Sequence, residues 1–242
     1  MDRQALRARL HALGNPANVA GMARFGIVSA SIYGVSIPNL RALARELGRN
    51  HPLALELWAG GSREERILAA MTADPGQLTE ELLDDWVRNL DNWEVCDQCC
   101  MNLWEKSPFA WSLATAWSKR EQEFVRRAGL VLMARLAVSD KQAADQRFEA
   151  FFPWIEAAAD DPRNYVKKAV SWALRQIGKR NLQLHCTAIA AARRMQARSS
   201  KSARWVAADV LRELLSEPVL RRLAQPSPTA RARRASASSP SR

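Results

Sequence analysis

Glycine and proline are scarce, at 10 and 11 of 242 residues, and they sit at boundaries rather than in runs. A chain of many short strands needs frequent turn residues, and no convincing strand is read anywhere. Long apolar runs are missing too. None approaches the roughly 18 residues of a membrane span, and the segment from Met1 to Arg7 lacks the charged-then-apolar order of a secretory signal. A cytoplasmic protein without membrane contact is the expectation. Cysteine is limited to Cys96, Cys99, Cys100 and Cys186, read as reduced thiols. Cys96 and Cys99 have C-x-x-C spacing, and His185-Cys186 could complete four ligands. The spacing falls inside a helix and on its apolar stripe, so small buried thiols are favoured over a metal site. No cofactor is expected. Acid is short as well: 36 lysines and arginines face 25 aspartates and glutamates, giving a net charge of +11. Residues 224–242 carry four arginines and no acid, so the rest of the chain keeps about +7 and is still basic. A polyanionic partner is the natural reading. A basic surface kept for solubility is the alternative.

What the chain has in quantity is helical periodicity. Helices are predicted over 3–13, 22–31, 38–48, 53–59, 63–72 and 79–89. Others follow over 93–106, 108–117, 121–137, 142–159, 163–179, 181–198 and 202–216. Pro153 should kink or divide the segment 142–159. Short turns between so many helices predict an all-α fold, an α-solenoid of stacked antiparallel pairs. A pair period of about 35–45 residues is that of HEAT-like repeats, and such stacks present a concave face, here a basic one. Residues 1–223 form one domain on this reading. The Ser, Pro, Ala and Arg composition of 224–242 predicts a disordered tail.

Three tryptophans stand off the apolar stripes. Asn92 can cap a helix in which Val95, Cys96, Cys99 and Leu103 form the stripe. Trp93 and Asp97 share a face at i, i+4 and lie roughly 100–140° from the stripe, so both are expected to face away from the core. In 163–179 the apolar face is Val166, Ala169, Val170, Ala173, Leu174 and Ile177. Trp172 sits about 130° from its centre, beside Lys168, Arg175 and Lys179. An indole among cations suits sugar or base on the ring and phosphates on the charges. Packing against a neighbouring helix would also explain it. Arg126 and Arg127 fall in the first two turns of 121–137, where cations oppose the helix dipole unless an anion intervenes. Pairing with Glu121 or Glu123 is the alternative. Trp205 and Asp209 repeat the Trp-x-x-x-Asp spacing, with Lys201, Arg204 and Arg212 placed for phosphate. Spacing alone does not choose between this pair and Trp93/Asp97.

Trp93-x-x-x-Asp97 after Asp91-Asn92, Val125-Arg126-Arg127-Ala128, and Lys168 to Arg175 around Trp172 resemble the AlkD-type DNA alkylation repair glycosylases. So does Gly34-Val35-Ser36-Ile37-Pro38. The resemblance covers roughly residues 20–216. It implies a HEAT-like solenoid acting as a monomer on duplex DNA, removing cationic N3- and N7-alkylated purines in base excision repair. It implies that Trp93 and Trp172 flank the lesion's sugar and that Asp97 is the catalytic carboxylate. Arg127 would hold the backbone nearby. Phe25 stands where some members have tyrosine, so a hydroxyl contact there is lost. A cationic purine leaves as a neutral base and needs no general acid. One carboxylate can stabilise the oxocarbenium-like sugar and position water. The alternatives are a non-catalytic nucleic-acid binder on the same fold and a protein-interaction scaffold.

Overall fold

Polar side chains decide where the helices begin. The side-chain oxygens of Asn15, Ser36, Asn50, Ser62, Thr79, Asn92, Asn181 and Ser200 each accept from a backbone N–H in the turn that follows. Each satisfies a donor the helix cannot satisfy itself. The computed structural model describes residues 2–225, in which fifteen α-helices follow one another. They begin with α1 (Arg3–Leu13), α2 (Pro16–Arg24), α3 (Ile37–Leu47), α4 (His51–Gly60), α5 (Arg63–Thr72) and α6 (Glu80–Arg88). The middle holds α7 (Trp93–Asn102), α8 (Ala110–Ser118) and α9 (Glu123–Ser139). Beyond it lie α10 (Asp145–Glu149), α11 (Phe152–Ala158) and α12 (Asn164–Gly178). The last are α13 (Leu182–Gln196), α14 (Lys201–Leu214) and α15 (Glu217–Ala224).

Neighbours in sequence pack as pairs, α4 on α5, α8 on α9, and α13 on α14. One helix from each pair then packs on the next, giving a continuous layer α3–α5–α7–α9–α12–α14. At the α8–α9 crossing a Cβ on Gly129 would lie 2.3 Å from the Ser118 nitrogen, so only glycine allows that approach. Four of the nine tryptophans are core. Trp58 stacks on Trp86 at 4.2 Å, and Trp104 meets Trp117 edge-on at 5.1 Å. Burying rings of this size supplies much of the apolar driving force.

The continuous layer is also linked by polar rungs. Arg63 Nε donates to Glu94 at 2.7 Å, and Arg135 Nε to Glu105 at 2.9 Å. Ser171 Oγ donates to Asp209 at 2.6 Å, and Lys179 Nζ to Glu213 at 2.6 Å. The partners are 30–38 residues apart, which is the structural repeat. Glu64 is fully buried and accepts from the backbone N–H of Tyr33, Gly34 and Val35, while pairing with Arg63 at 2.8 Å. It thereby fixes the turn before α3.

Several boundaries differ from the sequence reading. The second helix runs Pro16–Arg24, not 22–31, because Asn15 caps it and Gly26, at φ +72°, ends it. The segment predicted over 142–159 is divided into α10 and α11, with Pro153 in the first turn of α11. An additional helix, α15, follows Ser216, so Ala224 is helical rather than part of a tail. The rest of the predicted tail, from residue 226, lies outside the described residues.

Asp161, in the turn before α12, accepts from the backbone N–H and guanidinium of Arg163, at 3.0 and 2.9 Å, and from Arg126 at 2.8 Å. Burial works against its charge, but these donors outweigh it and hold the carboxyl at about 2, below its ordinary 3.8. A depressed carboxyl stabilises the fold fully above pH 4, and that stability disappears as pH falls through about 2. Asp161→Asn is therefore expected to cost about 1–2 kcal/mol near pH 6, allowing for partial water contact. In urea titrations the gap from wild type should shrink steadily between pH 4 and pH 2. A constant gap would show that the charge of Asp161 contributes nothing.

Candidate nucleic-acid interface

The cap of α7 sets the site. Asn92 Oδ1 accepts from the N–H groups of Glu94 and Val95, at 3.1 and 3.0 Å, which makes Trp93 the first helical residue. Its indole Nε1 donates to the Phe25 carbonyl at 3.0 Å, so the ring is held half-buried against the end of α2. One turn on, both Asp97 oxygens accept from Arg127 of α9, at 2.9 Å from Nε and 2.8 Å from Nη2. The third Arg127 nitrogen donates to the Tyr165 carbonyl of α12 at 2.6 Å. The guanidinium carbon lies 5.9 Å from the centre of the Trp93 ring.

Asp97 is 8% exposed, not turned to solvent as the helical wheel suggests. The predicted stripe residues Val95, Cys96, Cys99 and Leu103 are fully buried. However, α7 is covered on one flank by α5 and on the other by α9. Off-stripe positions are therefore buried too. Burial lifts the Asp97 carboxyl above its ordinary value, with Arg127 opposing the lift. Burial also works against the Arg127 charge, but Asp97 more than offsets it and raises the guanidinium.

Along α12, Tyr165, Lys168, Trp172, Arg175 and Lys179 recur every three or four residues and so share a face. A cavity of about 590 Å³ is lined by Phe25, Gly26, Trp93, Arg127, Tyr165 and Lys168, among others. A second hollow of about 430 Å³ is lined by Arg127, Lys168, Trp172, Arg175, Trp205 and Asp209. Arg127 and Lys168 border both, so the two form one groove over α7, α9, α12 and α14. Trp93 thus lines one part of this groove and Trp205 with Asp209 another, while Asp97 lies behind Arg127.

The cations differ in how far they are committed. Lys168 is exposed and enters no ion pair among the described residues. Arg175 pairs with Glu213 and lies 3.6 Å from Asp209, while Lys179 pairs with Glu213 at 2.6 Å. Arg126 is held by Asp161 and by the Arg120 carbonyl, not by Glu121 or Glu123. Exposed Arg204 donates to the carbonyls of Arg198 and Ser199. Trp205 is 39% exposed with Lys167 Nζ 5.0 Å from its ring centre. Tyr165 was absent from the sequence prediction. It lies three residues before Lys168, and that spacing was the available signal. Its hydroxyl donates to the Gly26 carbonyl at 3.3 Å, and a Cβ at Gly26 would collide with it at 1.8 Å. Among the described residues no three His, Cys, Asp or Glu side chains converge as metal ligands would.

Residues 6–206 match the sequence profile of a family described as "DNA alkylation repair enzyme". The chain belongs to that family. A relative, "Uncharacterized protein Lin0241" of Listeria innocua serovar 6a, is 26% identical over 128 residues. The match takes in 51% of this chain and 57% of the relative, so the chain spans little more than half that protein's length. A solved structure from "a new family of proteins related to the HEAT-like repeat DNA glycosylases with affinity for branched DNA structures" superposes with a TM-score of 0.73. It is 20% identical, over 89% of this chain and 96% of that one, and establishes the HEAT-like solenoid fold. Within the described residues no helix is long and apolar enough to cross a membrane.

Proposed function

We propose that this member of the DNA alkylation repair family is a glycosylase for cationic N3- and N7-alkylated purines in duplex DNA, acting as a cytoplasmic monomer without a cofactor. The observation that carries the reading is the Asp97–Arg127 pair set behind a cavity walled by Trp93 and edged by Lys168. In the free protein Arg127, not Asp97, lines the cavity. A DNA phosphate offers Arg127 a second bidentate anion. Turning toward it would uncover the carboxylate beside the lesion's sugar. The oxocarbenium-like charge then develops next to Asp97, and the indoles of Trp93 and Trp172 add cation–π attraction. The departing purine is neutral and needs no proton donor.

Release of free base from a duplex containing N7-methylguanine tests this. The expected result is time-dependent release by the wild type, and none would overturn the reading for that lesion. A second reading, a branched-DNA binder without chemistry, is favoured by one observation: Asp97–Arg127 is spaced like the structural rungs elsewhere in the layer. Tight binding without release would support it. On either reading Lys168 is the cation most free to meet phosphate. Lys168→Ala should reduce the slope of log affinity against log salt by about one. An unchanged slope would remove Lys168 from the interface.

A further inference from the structure

The hollow between α12 and α14 has features that a track for phosphates does not require. Its cations are mostly committed: Arg175 faces Glu213 and Asp209. Its volume, about 430 Å³, falls at the small end of the roughly 300–1,000 Å³ range for pockets that hold one compact ligand. Two indoles, Trp172 and Trp205, line it, and Trp205 is 39% exposed. Asp209 also borders the hollow. One of its oxygens accepts from Ser171 and the other from Arg212, and a carboxylate can accept further donors.

We propose that this hollow is a subsite for one unpaired nucleobase of the DNA lying in the groove. The proposal rests on the reading of the groove as the DNA-binding face. The base stacks on Trp205, whose π-face accepts any base. Its ring N–H or exocyclic amine donates to Asp209, and Lys168, shared with the lesion cavity, takes the intervening phosphate. Bases in a perfect duplex are stacked inside the helix and cannot enter. The protein should therefore prefer DNA with an unpaired nucleotide close to the site it inspects.

The test compares two fluorescent duplexes of the same sequence, one fully paired and one with a single unpaired adenine. Binding is read by anisotropy at fixed salt. The wild type is expected to bind the bulged duplex about 5–100-fold more tightly. Trp205→Ala should bring that ratio to about one, and Trp205→Phe should keep most of it. Trp205 is part-exposed, so circular dichroism should report a folded Ala variant. A wild-type ratio near one overturns the subsite, and so does a ratio that survives Trp205→Ala. If the wild type binds neither duplex, the groove reading fails along with the subsite. A ratio that behaves as expected without release of N7-methylguanine leaves the subsite standing and removes only the glycosylase chemistry.

Discussion

Asp97→Asn is expected to slow release of N7-methylguanine by at least about 100-fold in single-turnover assays, the usual loss when one preorganised electrostatic stabiliser is removed. Asparagine keeps the size of the side chain and can still accept from Arg127, but it carries no charge to meet a sugar cation. The same change leaves the nearly buried Arg127 without its anion, and breaking such a pair costs several kcal/mol, about 3–5. Stability and rate must therefore be measured together. Asp161→Asn is the control, since it also weakens the fold but lies outside the groove. If release by Asp97→Asn, corrected for folded protein, stays within a few-fold of wild type, the carboxylate has no chemical role.

Glu64→Ala should cost about 3–5 kcal/mol of stability, or roughly 10 °C in Tm for a chain of this size. The substitution removes the acceptor of three backbone N–H groups and leaves Arg63 buried beside a lost charge. The exposed Arg9–Glu46 pair is the contrast, and its removal should barely move the transition. A Glu64→Ala melting curve that overlays wild type would mean the Tyr33–Val35 turn holds without its buried anchor.

Local pattern made much of this architecture readable. The stripe of α12 is fully buried as the wheel requires, and Asn92 caps α7 where its side chain suggested. What could not be read was the second flank of each helix in the layer. The partner of Asp97 is 30 residues away and that of Arg126 is 35 away, so neither burial nor pairing is written in one helix's periodicity. Misplacing α2 had a different cause. The apolar residues after Met22 outweighed the Asn15-Pro16 cap, and nothing local announced that Gly26 would leave the helical region. Tyr165 was missed because its backbone carbonyl, as well as its ring, serves the groove.

The rungs have a further consequence. A stacked-repeat protein behaves as a one-dimensional array, held by the intrinsic stability of each unit and by its nearest-neighbour interfaces. Asp97–Arg127 is part of the interface energy between α7 and α9, near the middle of that array. On the proposed function, a substitution that frees Asp97 for faster chemistry also loosens the central junction. Activity, as proposed, and cooperativity would then be drawn from one bond, and selection for quicker chemistry would have to reinforce the α7–α9 contact elsewhere.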